Sequence, residues 1–142
     1  MLLLICCALI LTAVLCFTNV RKNLMLASLT ANRVDTVTVF FGSQSATLSQ
    51  ADVEQLVPLI QTISLQGRSV RLTVAEEYPC YSVRLKSGKI FTLTCYNNYY
   101  IVDGRSYPVT PYRQSNYDAI QRLYEDHCGN REYFPRNESG RD

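Results

Sequence analysis

The segment Tyr81-Ser82-Val83-Arg84-Leu85-Lys86-Ser87-Gly88-Lys89-Ile90-Phe91-Thr92-Leu93-Thr94-Cys95 decides the fold. Two runs of alternating apolar and polar residues flank Lys86-Ser87-Gly88, the pattern of a β-hairpin with one buried face. A two-residue Ser87-Gly88 turn would set Val83 against Thr92 and bring Cys80 opposite Cys95. A three-residue Lys86-Ser87-Gly88 loop, with Gly88 left-handed, sets Val83 against Phe91 and Tyr81 against Leu93. In that register Tyr81, Val83 and Leu85 share a face with Phe91, Leu93 and Cys95. A one-residue slip turns every side chain to the opposite face, so burial selects the second register. Cys95 then reads as a buried apolar residue, Cys80 points the other way, and a Cys80–Cys95 bridge is not expected.

Downstream, Tyr99-Tyr100-Ile101-Val102 and Arg105-Ser106-Tyr107 flank Asp103-Gly104, a pair suited to a type I′ turn, and predict a second hairpin. Pro108 and Pro111 end the sheet. Ser115, with Asp118 three residues on, predicts the cap of a last helix that carries Ile120, Leu123, Tyr124 and His127 on one side and stops at Gly129. Upstream, Val70, Leu72 and Val74 alternate as a strand that Glu76-Glu77-Tyr78-Pro79 breaks. Val53, Leu56, Val57, Ile60 and Ile63 line one face of a helix capped by Ser49 with Asp52. Pro58 lies inside it and predicts a bend. Val37, Val39 and Phe41 alternate as a first strand closed by Gly42-Ser43. The order strand, helix, strand, hairpin, hairpin, helix predicts an α+β fold: a mainly antiparallel sheet of about five to six strands with two helices on one face.

In front of this domain lies an apolar run, Leu2 to Val20, without Lys, Arg, Asp or Glu, ending at Arg21-Lys22. About 20 apolar residues span a ~30 Å hydrocarbon core, so the run predicts an N-terminal transmembrane helix. A cleaved signal calls for a basic leader, a shorter apolar core and an A-x-A-like site, none of which is clean here. Leu15-Cys16 departs from the lipidation pattern, which places a small residue before the cysteine. The expected organisation is an anchor or uncleaved signal at 1–22, a juxtamembrane linker at 23–33, one α+β domain at 34–129 and a polar tail at 130–142. Arg21, Lys22 and Arg33 all follow the span, which by the positive-inside rule favours a cytoplasmic domain.

The net charge of +2 comes from that flank: beyond it 11 Lys and Arg face 12 Asp and Glu. No basic face suits nucleic acid. The single histidine, His127, lacks the CxxC or HxxxH company of a metal site and reads as a helix-end group complementing the dipole. No glycine-rich phosphate loop or G-x-S-x-G element occurs, and Glu76-Glu77 diverge on extended chain. No cofactor is expected and the reading leans away from an enzyme. Cys80, Cys95 and Cys128 are an odd set, so at least one is free or bridges outside the chain. Cys80 and Cys128 are the possible disulfide, or else the reactive thiols of a thiol-dependent enzyme or redox protein.

Tyrosine and arginine gather in the second hairpin and its exit, at Tyr96, Tyr99, Tyr100, Arg105, Tyr107, Tyr112, Arg113 and Tyr117. Both types are enriched at interface hot spots. Either alternate tyrosines fill the sheet core, or one surface, carried by Tyr99, Tyr100, Arg105, Tyr107, Tyr112 and Arg113, meets a protein partner. The helix Ser49–Ile63, the Val83-to-Lys89 hairpin and the Tyr100-to-Tyr107 element together resemble small domains of unknown function in membrane-anchored or lipoprotein-like proteins of Gram-positive bacteria. The resemblance implies an extracytoplasmic domain and no known activity. The expectation is a non-catalytic binding domain tethered at the cell surface through Leu2–Val20; a structural subunit of a membrane complex is the third reading.

Overall fold

The computed structural model describes residues 2–67, 69 and 81–135, with the side chains at 2–4, 8, 9 and 15–18 left aside. The expected strand at Val70–Val74, the Glu76-Glu77 pair, Cys80 and the tail beyond 135 lie outside the described residues. The chain opens with α1 (Leu2–Ala27), passes a 3₁₀ turn at Ala31–Arg33, and enters β1 (Val34–Phe41), β2 (Gln44–Thr47) and α2 (Gln50–Gln61). After 80 it continues as β3 (Tyr81–Leu85), β4 (Ile90–Tyr96), β5 (Tyr99–Val102), β6 (Arg105–Pro108), a 3₁₀ turn at Pro111–Arg113 and α3 (Gln114–Gly129). The six strands form one antiparallel sheet in the order β2-β1-β3-β4-β5-β6, and the fold is α+β.

The β3–β4 register is the one burial selects: Val83 pairs with Phe91 and Tyr81 with Leu93. Gly88 adopts φ +84°, and its N–H closes the loop on the Leu85 carbonyl at 2.8 Å. Asp103 and Gly104 both take positive φ, as a type I′ turn requires. Asn97 and Asn98 do the same between β4 and β5, at φ 47° and 61°, so β3 to β6 form one continuous meander. Asparagine tolerates this region through its short side chain, and the pair makes a hairpin turn without glycine.

Several local expectations change. Phe41, expected inside, is 49% exposed and meets Phe134 edge-on, because β1 turns back at Gly42 (φ +56°) into β2 and carries Phe41 to the sheet end. β2 is a polar edge strand with no alternation to reveal it. Ser49 caps α2 as expected, its Oγ accepting from the Asp52 N–H at 3.2 Å, while Pro58 sits on the exposed face inside the helix. α3 begins one residue earlier than its expected cap: Ser115 lies in the first turn, Arg113 is the capping position without a side-chain bond, and Pro111 opens the preceding turn. Gly129 is the last helical residue and Asn130 follows as the cap.

Within residues 23–33, the stretch expected as a juxtamembrane linker, α1 runs unbroken to Ala27, and Leu26 and Leu29 are fully or nearly fully buried in the core with Val37, Leu56, Ile60 and Leu93. The core is therefore closed by α2, α3 and the end of α1.

Candidate functional site

Two places concentrate chemistry: the junction of α1 with the domain, and a buried polar cluster under α3. At the junction, one face of α1 changes from apolar to polar before the helix ends. Asn23 pairs reciprocally with Leu65, its Nδ2 donating to the carbonyl at 3.0 Å and its Oδ1 accepting from the N–H at 2.7 Å. Asn19 Nδ2 donates to the Gly67 carbonyl at 3.2 Å. Lys22 Nζ reaches the Val102 carbonyl at 3.4 Å and the Asp103 carboxylate at 3.7 Å, and lies 6.0 Å from the Tyr107 ring. The spacing 19, 22, 23 and 26 is one helical face, so these three polar residues and Leu26 meet the domain together. Upstream, Ile5, Ile10, Leu11 and Val14 are each at least half exposed, and the stretch Ile5–Ala27 is long and apolar enough to cross a membrane.

In the polar cluster, His127 is buried at 3% exposure between the rings of Tyr81 and Tyr133. Its Nδ1 lies 2.8 Å from the Tyr81 hydroxyl, and its Nε2 lies 3.6 Å from Asp52 Oδ1, an electrostatic contact too long for a hydrogen bond. Asp52 in turn accepts from Ser49 Oγ at 2.8 Å and from the Tyr133 hydroxyl, while Tyr133 receives the Ser49 N–H at 2.7 Å. Burial holds His127 below its usual range against the opposing pull of Asp52. The Tyr133 hydrogen bond, outweighing desolvation, holds Asp52 below the usual carboxylate value. Burial pushes the Tyr81 hydroxyl upward, so it stays protonated beside Nδ1, and the imidazole tautomer sets which of the two donates. His127 is thus a neutral, enclosed imidazole, and the expected cationic helix-end role gives way to a clasp joining the start of α2, β3, α3 and the segment after α3.

Among the described residues, the domain thiols Cys95 and Cys128 are not poised for nucleophilic work. Burial pushes Cys95 up to about 12 and also raises Cys128, so both are protonated at neutral pH. Both are free, and Cys80, the expected partner of Cys128, lies outside the described residues. His127 directs its nitrogens at Tyr81 and Asp52, leaving its neighbour Cys128 without that base. Cys95 borders a cleft of about 220 Å³ between β4 and α3, and Cys128 a shallower one of about 580 Å³ between Phe41 and Phe134. Among the described residues, no three His, Cys, Asp or Glu side chains gather as metal ligands would.

Of the six residues expected as a partner surface, two are buried and the others range from half-buried to exposed. Tyr100 and Tyr107 face each other across β5 and β6 and are 1% exposed; they belong to the core, where Tyr100 also meets Tyr117 edge-on and receives Asn116 Nδ2 at 3.2 Å. Tyr99 is half-buried, while Arg105, Tyr112 and Arg113 are exposed, Tyr112 at 94%. Period two allows either phase for Tyr99-Tyr100, and only the pairing with β6 chooses. Sequence reasoning missed Asn19 and Asn23, whose one available signal was two amides at i and i+4 at the end of an apolar run. It read Asp52 as a cap and His127 as a helix end without joining them. Comparison of the chain with models of known families, with curated proteins and with solved structures returned no match.

Proposed function

We propose that this chain is a single-pass membrane protein presenting a non-catalytic interaction domain on the extracytoplasmic side of a bacterial membrane, with the anchor built into the domain. The observation that carries this reading is α1 itself. Its first turns expose Ile5, Ile10, Leu11 and Val14, which need lipid, while its last turns bury Leu26 and bind the domain backbone through Asn19 and Asn23. A flexible tether would leave the domain free to reorient; this one fixes it. Among the described residues, protonated Cys95 and Cys128 and an enclosed histidine favour binding over thiol chemistry. The side of the membrane rests on the resemblance to surface-anchored domains, against the pull of Arg21 and Lys22.

The test is a full-length chain with a topology reporter fused after Asp142. Resistance to alkaline extraction together with activity of a reporter that works only outside the cytoplasm is the expected result. Release by alkali would remove the anchor, and activity of a cytoplasmic reporter alone would reverse the side.

A further inference from the structure

The contacts of α1 rank the strands by distance from the bilayer. Asn19 touches Gly67; one turn on, Lys22 touches β5 at Val102 and β6 at Tyr107; after the helix, the Arg33 carbonyl accepts from Lys86 in the β3–β4 loop. The chain therefore climbs across the sheet from β6 toward β3, leaving β1 and β2 farthest from the span. The other helices follow the same axis. The segment after α2 returns to Asn23 and Asn19 through Leu65 and Gly67. α3 starts beside β5, with Gln114 on Asn98 and Asn116 on Tyr100, and ends near β1 and β3, with Tyr124 on the Phe40 carbonyl and His127 on Tyr81. The β6 edge, its turn and the Pro111–Arg113 turn thus share the end of the domain at which α1 leaves the bilayer.

That end carries a distinctive set of groups. Arg21, Arg105 and Arg113 are exposed, and the nearby acid Asp103 is already engaged by Lys22. Tyr112 is 94% exposed, and Leu24, one turn beyond Val20 on the side of α1 turned from Asn19, Lys22 and Leu26, is 65% exposed. Tyrosine is an interfacial anchor, arginine pairs with phosphate, and an apolar side chain just past a span is satisfied at the acyl boundary.

We propose that the rim formed by Arg21, Arg105, Tyr112 and Arg113 docks on the anionic phospholipid headgroups of the bilayer that α1 enters, so that the domain stands on its β6 edge with β2 outermost. This rests on the reading of α1 as a membrane span, and it names the lipid surface as the partner of the arginine and tyrosine residues.

The chain has no tryptophan, so single-tryptophan variants report position cleanly. Ile10→Trp, Tyr112→Trp and Ser45→Trp in the full chain are reconstituted into vesicles of phosphatidylcholine, alone or with phosphatidylglycerol, carrying nitroxide labels at the headgroup or deep in the acyl chain. The proposal expects deep-label quenching at Ile10→Trp, headgroup-label quenching at Tyr112→Trp that grows with phosphatidylglycerol, and none at Ser45→Trp on β2. Adding Arg105→Gln and Arg113→Gln to Tyr112→Trp should lower the ratio of docked to undocked domain by about thirtyfold in anionic vesicles, since each of the two basic residues near such a surface contributes about one kcal/mol. Quenching at Ile10→Trp with none at Tyr112→Trp overturns the docking and leaves the anchor standing. No quenching at Ile10→Trp overturns both. Equal quenching at Tyr112→Trp and Ser45→Trp overturns the orientation, and indifference to phosphatidylglycerol overturns the role of the arginines.

Discussion

His127 is enclosed by Tyr81, Tyr133 and Asp52, and burial keeps it neutral at pH 7. Its folded value lies below the 6.5 of an ordinary imidazole, so the unfolded chain takes up the proton first as pH falls. The stability linked to His127 is therefore complete above about pH 6.5 and is lost as pH falls from there toward the folded value, with a slope of at most about 1.4 kcal/mol per pH unit for one group. Asp52, also lowered, adds a second loss that begins below about pH 4. Since His127 is the only histidine, urea midpoints recorded from pH 7.5 to 5 should fall in the native chain and stay nearly level in His127→Gln. An equal fall in both would show that another group carries the effect. Asp52 and His127 were each visible in the sequence as helix-end residues. Their meeting was not, because it depends on how two helices cross the same sheet.

At the scale of elements, α1 ends inside the domain. Its end contributes Leu26 to the core and lends the Asn23 amide to both backbone groups of Leu65. Leu26→Ala should cost about 2–5 kcal/mol, as buried leucine truncations do. Asn23→Ala leaves a backbone donor and acceptor without their partner and should cost about 1–3 kcal/mol. Chemical denaturation in detergent measures both. Values near zero would mean that residues 19–29 tether the domain without belonging to it. The hairpin β3–β4 was legible down to its register, because Val83, Leu85, Phe91 and Leu93 fit only one pairing with a buried face. β2 was hidden because Gln44–Thr47 is a polar edge, and the turn at Asn97-Asn98 because neither residue is glycine. The end of α1 was hidden because Arg21-Lys22 reads as the limit of a span, while the face that matters, Asn19, Lys22, Asn23 and Leu26, appears only on a helix continued past it.

Across the described residues, these pieces give one arrangement: a six-stranded sheet, two helices on its core face, and the end of α1 laid beside them. Composition and periodicity were enough for the α+β class, since every strand but β2 is alternating or flanked by turn residues. They were not enough for the site, since Tyr100 and Tyr107 look like surface residues until β5 and β6 are paired. The proposed orientation to a bilayer rests on the end of α1 being part of the core, and the proposal stands or falls on that continuity. Hydrogen exchange of the full chain in lipid nanodiscs reads it directly. The amides of residues 21–27 should exchange as slowly as those of β3 and β4; exchange as fast as in an unstructured linker would contradict the account.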